Sequence, residues 1–379
     1  MAKKYLIIIL SLVLVTFMGL ATGVFYVYGQ KSQTWSHINT KPQPQVTPTP
    51  TPDPLAPKHI LLLGHGGPNH DGGGLTDTIM LTQVDPRQKI VTLISIPRDL
   101  WVGLPINKNG QSHYSKINAA YAIGNDDLGY SQKPQKYQGE NGGANLAKDV
   151  VTQITGVPID YYVAVDFAGF ENIINSLSGI EVYVPWAFDD PYYPLPDKKT
   201  DLCGKSEEEI VQIEATLSGE LIEQQFSCRF ETLHFDQGLQ TMDGTQALKY
   251  ARSRHSPQNG GDFSRNLRQQ AVIKAFKDKV LNLYAITKIP QLISQLMQNV
   301  RTDFDLNSIK LALKLQPELD QYQIYTIALS DKNVLMFSNS PDGQSILMPR
   351  AGFDKWTGLQ EYLKQEIAST SAQLNSSTN

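Results

Sequence analysis

The chain has 379 residues, 41% of them hydrophobic, with two cysteines and a formal charge of −4. The apolar content suffices for a sizeable core. The mildly acidic balance speaks against a nucleic-acid partner, and two distant cysteines without a CxxC speak against a zinc scaffold or a thioredoxin-like site.

Residues 5–28 read YLIIILSLVLVTFMGLATGVFYVY, 24 residues without a charge. That run exceeds the roughly 20 residues needed to cross a ~30 Å hydrocarbon core and predicts one transmembrane helix. Lys3 and Lys4 before it favour an inside N-terminus, residues 1–4, with the bulk of the chain outside. A cleavable signal would have a shorter apolar core and a small-residue cleavage site. Residues 29–57 form a linker, and seven of the 17 residues in KPQPQVTPTPTPDPLAP (41–57) are proline. Such a segment favours polyproline II, a semi-rigid spacer between membrane and domain.

From 58 onward the pattern predicts one domain, extending to about residue 350. Branched apolar runs predict strands over 59–64, 78–84 and 89–97, the last two joined by DPRQ. Helices are predicted over 116–123 and 145–154, a strand over 159–165, a helix over 167–177 and a strand over 180–185. Residues 186–235 read as a polar excursion holding Cys203 and Cys228. In an oxidising compartment these two form one disulfide, the plain alternative being two free thiols. Helices follow over 242–250, 263–283, 289–297 and 306–315, then a strand over 321–329. The Ser/Thr-rich tail, 364–379, reads as disordered. Alternating strands and helices through one core predict an α/β domain with a mixed sheet.

Three segments carry candidate chemistry. The glycine loop GHGGPNHDGGGLTDTI (64–79) lacks a Walker GK[ST] but can form an anion-binding nest, with Asp77 placed to meet a hard cation. His65, His70 and Asp71 also admit a weak zinc reading. SIPRDLWV (95–102) puts Arg98 and Asp99 at a strand end, where α/β ligand sites gather; Lys116 in SKIN adds a positive charge. In YARSRHSPQNGGDFSRNLRQQ (250–270), Arg252 and Arg254 project to one side if the segment is extended. Asp262 precedes a helix on which Arg265 and Gln269 share a face, with Arg268 beside them. Each segment has a bland reading: a capped turn, a surface Arg–Asp pair, a solvated helix face. Together they point to a phosphate or pyrophosphate ligand with a divalent cation.

The blocks LLLG, LTDTIML, VTLISIPRDLWV, KINAAY, GLQTMDGTQALKYARSRH and GDFSRNLRQQ, in this order over 58–285, resemble the LytR–CpsA–Psr family of cell-wall ligases. The resemblance implies a three-layer α-β-α domain with a central mixed β-sheet, anchored in the cell membrane and facing outward. Its implied activity is transfer of a glycopolymer phosphate from a polyprenyl-pyrophosphate carrier to peptidoglycan, with Mg²⁺ (or Mn²⁺). By resemblance, Arg98, Arg252 and Arg254 hold the pyrophosphate, and Asp77 binds the metal. Lys116, Asp262, Arg265 and Gln269 line or support the site. Asp99 orients Arg98 or takes the acceptor proton, and the polyprenyl tail lies in an apolar groove between sheet and helices. Many members carry an Asp where this chain has Gly66; Asp71 is the candidate replacement. The cysteine-bearing excursion resembles a subset of members. Hydrolysis of the same pyrophosphate, and non-catalytic binding of an anionic wall polymer, are the competing readings.

Overall fold

The computed structural model describes residues 53 and 55–377, except 69, 71, 108–111, 218–219, 285–297 and 305–320. The 5–28 span, most of the linker, Asp71 and the helices expected over 289–297 and 306–315 lie outside the described residues.

The first three strands form where the apolar runs place them: β1 (Lys58–His65), β2 (Thr76–Asp85) and β3 (Ile90–Ser95). The β2–β3 turn is tied by the Asp85 carboxylate, which accepts from the backbone N–H of Arg87 and Gln88. A short hairpin follows, β4 (Trp101–Leu104) with β5 (His113–Lys116), then α1 (Ala119–Asn125) and α2 (Gly142–Thr155). Next come β6 (Tyr161–Asp166), α3 (Phe167–Ser176), β7 (Ile180–Val184) and β8 (Phe188–Pro194). After α4 (Glu207–Thr216) and α5 (Glu220–Gln225), the chain forms β9 (Phe230–Phe235), β10 (Gly238–Met242), α6 (Gly244–Arg252) and the long α7 (Gly261–Tyr284). The C-terminal part comprises β11 (Arg301–Thr302), β12 (Gln323–Ala328), β13 (Leu335–Asn339), β14 (Ser345–Pro349) and α8 (Thr357–Ser377).

Six strands make one mixed sheet in the order β11-β6-β1-β2-β3-β12. β1 runs antiparallel to β2 and parallel to β6, and β12 lies parallel to β3. Successive strand residues point to opposite faces, and both faces are buried. Ile60, Met80, Val91 and Leu93 pack with residues of α3, β7, α6 and α7. Leu61, Leu63, Ile79, Leu81 and Ile94 pack with residues of α1, α2 and α8. Double burial is why HILLLG reads as a continuous apolar run rather than an alternating one.

Three expectations are corrected. Lys116 does not start a helix: its backbone pairs with Trp101 at the end of β5, and α1 begins at Ala119. The 186–235 excursion is built rather than irregular. β8 and β9 pair antiparallel and bury Phe188, Tyr193, Leu233 and Phe235 in the core. Their buried apolar residues are interspersed with polar and charged ones, so the average polarity hides two half-buried strands. The tail expected to be disordered from 364 continues α8, with Trp356, Leu359 and Leu363 buried at helical spacing beneath a polar outer face.

Cys203 and Cys228 are paired across the excursion, their Cα atoms 5.6 Å apart, inside the range a disulfide spans. A thiol-alkylating reagent is therefore expected to label neither cysteine in urea until a reductant is added. Labelling of both without reductant would show free thiols instead.

Candidate functional site

A cleft of about 640 Å³ opens where the glycine loop, the turn after β3, the end of α6 and the start of α7 meet. Asp77, Arg98, Asp99, Lys116, Arg252, Arg254, Arg265 and Gln269 all line it. Asp262 is the second residue of α7, so it lies within the helix rather than before it; its side chain is not among those described.

One wall comes from the central sheet. Asp77 stands inside β2, at its second position, not ahead of the strand. Arg98 Nη1 donates to Asp77 Oδ1 at 2.6 Å, and Arg98 Nε lies 3.5 Å from Asp99 Oδ2. Lys116 Nζ donates to Asp99 Oδ1 at 2.6 Å. The Arg98–Asp99 turn is fastened by its backbone: Asn118 N donates to Arg98 O (3.3 Å) and Leu347 N to Asp99 O (3.0 Å). These side chains are partly exposed, so each pair adds about 1 kcal/mol or less to stability. Their consequence is alignment, a row of alternating charge held rigidly at the strand ends.

The opposite wall comes from the end of α6. Arg252 is the last residue of that helix and Arg254 lies two residues on in an irregular stretch, so the pair does not share one extended segment. Both nevertheless reach the cleft. Arg252 Nη1 donates to Tyr193 Oη at 2.9 Å, and its guanidinium carbon lies 4.2 Å from the Phe167 ring centroid. That stacking desolvates one face of the cation and fixes its plane. Arg252 Nη2 also meets His70 Nε2 at 3.2 Å. Burial lowers the His70 pKa and the Arg252 charge lowers it further, while Asp77 opposes. The imidazole is therefore neutral near pH 7, and Nε2 accepts. A Cβ on Gly66 would lie 2.8 Å from His70 ring atoms. The His70 ring thus occupies the space a side chain at 66 would need.

Protonating His70 would set two cations face to face. Because its folded pKa is depressed, the neutral state is favoured above the unfolded value of 6.5 and lost as pH falls. The Arg252–His70 hydrogen bond is therefore expected to be lost only as pH falls below 6.5 through the folded His70 value, and His70→Gln should remove that acid limb from the stability profile. An unchanged acid limb in His70→Gln would remove His70 from the account.

Asp190 organises the two-arginine turn and was not legible in the sequence. It is fully buried, and its carboxylate accepts from Ser253 Oγ (2.7 Å), Arg254 N (2.9 Å), His255 N (3.2 Å) and Tyr192 N (3.2 Å). Burial pushes its pKa up, but these hydrogen bonds outweigh it and hold the carboxyl below its ordinary value. Arg254 Nε then donates to His255 Nε2 at 3.1 Å, which leaves the proton on Nδ1, facing Tyr192 O at 3.0 Å. Arg268 is buried rather than solvated: it donates to the backbone carbonyls of Asn259 (3.0 Å) and Ser253 and stacks over Phe188. Asp190 and Arg268 both hold Ser253, and Arg268 also ties Asn259 further along the loop. Arg265, 8% exposed, and Gln269 complete the cleft four residues apart on α7.

Beside the cleft lies an apolar groove of about 240 Å³, bounded by the sheet, α3, α6 and α7 and lined by residues such as Val163, Phe170, Ile173, Ile273 and Phe276. Thr78, Phe167, Arg252 and Gln269 border both spaces. A ligand filling both would need an anionic head and a hydrocarbon tail.

Five cationic side chains, only partly balanced by the carboxylates of Asp77, Asp99, Asp190 and Glu223, suit a polyanion of hard oxygens. Mg²⁺ is usually held by one or two carboxylates plus substrate phosphate oxygens; Asp77 at the cleft wall meets that requirement. A zinc pair does not form from His65 and His70. His65 lines a separate crevice with its Nδ1 against Gly73 O, whereas His70 lines the cleft.

A model of the LytR_cpsA_psr family matches residues 23–348. The polyisoprenyl-teichoic acid–peptidoglycan teichoic acid transferase TagU of Enterococcus faecalis is 27% identical over 310 residues, 81% of this chain and 82% of its own. The corresponding transferase TagV of Bacillus subtilis is 27% identical over 267 residues, 70% of this chain and 54% of its own. The crystal structure of B. subtilis TagV superposes with a TM-score of 0.53 at 25% identity, covering 82% of this chain and 97% of that one. Protein gbs0355 from Streptococcus agalactiae shares the fold with a TM-score of 0.55 at 22% identity, covering 82% and 88%. The chain belongs to the LytR–CpsA–Psr family.

Proposed function

We propose that this protein transfers a glycopolymer phosphate from a polyprenyl-pyrophosphate donor to peptidoglycan, forming a phosphodiester. One observation carries the reading: the cationic cleft and the apolar groove adjoin, with Thr78, Phe167, Arg252 and Gln269 lining both. A pyrophosphate head suits the cleft and a polyprenyl chain suits the groove. The names of the similar TagU and TagV transferases agree with this substrate class.

In the proposed reaction an acceptor hydroxyl attacks the glycan-side phosphorus. The bond from that phosphorus to the bridging oxygen breaks, and polyprenyl monophosphate leaves carrying the hydroxyl proton. Phosphoryl transfer requires positioning and charge neutralisation more than covalent chemistry. Arg252, stacked and fixed, and Arg254, on its Asp190-held turn, grip the phosphate oxygens from one wall; Arg98 and Lys116 do so from the other. Asp99 already engages Lys116 and Arg98, so its role is to position them. Mg²⁺ (or Mn²⁺), held by Asp77 and the phosphates, would add neutralising charge.

The charge-free 5–28 run then serves to keep enzyme and lipid donor in one bilayer, with the proline spacer setting the height of the domain. Among the described residues no helix is long and apolar enough to cross a membrane, so the anchor rests on that run alone.

The test is reconstitution of the full chain in detergent with Mg²⁺, a polyprenyl-pyrophosphate glycan carrying a labelled sugar, and a peptidoglycan oligomer. Label on the peptidoglycan is the expected outcome. Donor cleavage with free glycan phosphate as the sole product would make the protein a hydrolase, and binding without turnover would make it a receptor.

A further inference from the structure

A second crevice, of about 470 Å³, lies on the other side of the glycine loop from the cleft. It forms at the carboxyl ends of two parallel strands. His65 ends β1, Asp166 ends β6, and the two are direct register partners. Beyond this pair the chains part, β1 into the glycine loop and β6 into α3. Such divergence at the ends of parallel strands is where α/β proteins open ligand crevices.

The lining differs from that of the cleft. Its polar groups are chiefly the neutral amides of Asn125, Asn172 and Asn299, with Arg301 and Asp166 contributing one charge of each sign. Asn172 Nδ2 donates to Asn299 Oδ1 at 3.2 Å, and Asp166 Oδ1 caps α3 by accepting from Gly169 N at 2.7 Å. His65 and Tyr121 lie with ring centroids 5.4 Å apart. Burial lowers the His65 pKa, so it adds no fixed charge near pH 7. Balanced charge disfavours a further phosphate, and amide-rich walls disfavour a hydrocarbon tail. Exposed amide donors and acceptors at the rim, with the half-buried His65 ring packed on buried Tyr121 behind them, match the polar edge of a sugar.

The crevice also lies beside the reacting centre. Asp166 lines the crevice and the next residue, Phe167, stacks on Arg252 in the cleft. Gly72 borders the cleft and Gly73 the crevice. We infer that this crevice is a saccharide subsite, taking an uncharged N-acetylated hexosamine unit from one of the two glycans that meet at the phosphate. The link to transfer rests on the proposed function; the binding itself does not.

The experiment titrates the full chain in detergent micelles with a phosphate-free N-acetylglucosamine oligosaccharide, followed by ligand-observed NMR. Saturable binding is expected, weakened about tenfold, the scale of one lost hydrogen-bonded group, in Asn172→Leu and in Arg301→Leu. Arg252→Ala should leave it intact. Absence of binding, or equal weakening by Arg252→Ala alone, would overturn the assignment. Thermal melts of each variant separate loss of fold from loss of site. In the transfer assay, a raised KM for the peptidoglycan oligomer alone assigns the acceptor, and a raised KM for the donor alone assigns the donor glycan. Both KM values unchanged would overturn a role in transfer. If the wild type transfers nothing yet binds the oligosaccharide, the proposed function fails and the saccharide site stands.

Discussion

Arg252→Ala is expected to lower transfer by about 10²–10³-fold, the scale seen when one preorganised charge-stabilising donor is removed from a catalytic site. The argument is geometric. Arg252 stands at the junction of the cationic cleft and the apolar groove. Phe167 below it, Tyr193 Oη on Nη1 and His70 on Nη2 fix its plane before any ligand arrives. A preorganised cation needs no reorientation as charge builds on the transferred phosphoryl group. Arg252→Lys should recover little, because an ammonium provides neither the planar fork nor the stacked face. Stability should change little in either variant, since the side chain is only partly buried. A transfer assay with thermal melts on the same preparations decides the matter. Activity within about threefold of wild type in Arg252→Ala would remove this residue from the transition state.

Asp190→Ala is expected to cost about 3 kcal/mol of unfolding free energy, together with most of the transfer activity. The carboxylate is fully buried and accepts four hydrogen bonds, three of them from the Ser253–His255 turn. Removing it strands several buried donors, each costing about 1–3 kcal/mol before water or relaxation compensates part of the loss. The segment that carries Arg254 would then keep only Arg268, the His255–Tyr192 contact and its own backbone bonds. Because the folded pKa of Asp190 is depressed, its contribution is present above the unfolded carboxylate value and is lost as pH falls through the folded one. Urea unfolding at pH 7 and at pH 3 should therefore show a wild-type to variant gap that narrows in acid. A gap that stays constant across this range would mean that the Asp190 charge is not what holds the turn.

The parts of the fold legible in the sequence were those with local signals. Uninterrupted branched runs gave β1, β2 and β3, and the amphipathic stretches gave α2, α3 and α7. What escaped depends on pairing at a distance. Lys116 sits next to a helical run in sequence, yet its backbone pairs with Trp101, fifteen positions away. β8 and β9 were obscured because each buries only alternate residues and they pair across some 40 positions. α8 carries only a sparse apolar signal, Leu359 and Leu363 being buried on a helix otherwise rich in polar residues.

The candidate site was legible for a different reason: its residues are rare combinations of charge at strand and helix ends. Arg98, Asp99, Arg252, Arg254, Arg265 and Gln269 converge in one cleft. The inner supports were not legible. Asp190 stands in an ordinary-looking FDDPYYP segment, more than sixty residues from the turn it holds. Phe167 and Tyr193 carry no local signal of the contact that their rings make with Arg252. Burial converts such residues from bulk composition into positioning elements, and burial is a property of the whole fold.

The most direct measurement is ³¹P NMR of the purified product from wild-type full chain, polyprenyl-pyrophosphate glycan and peptidoglycan oligomer. The proposed function requires a phosphodiester resonance on the peptidoglycan fraction, one per transferred glycan, with polyprenyl monophosphate released in equal amount. A phosphomonoester on free glycan, with no phosphorus on the peptidoglycan, would contradict it.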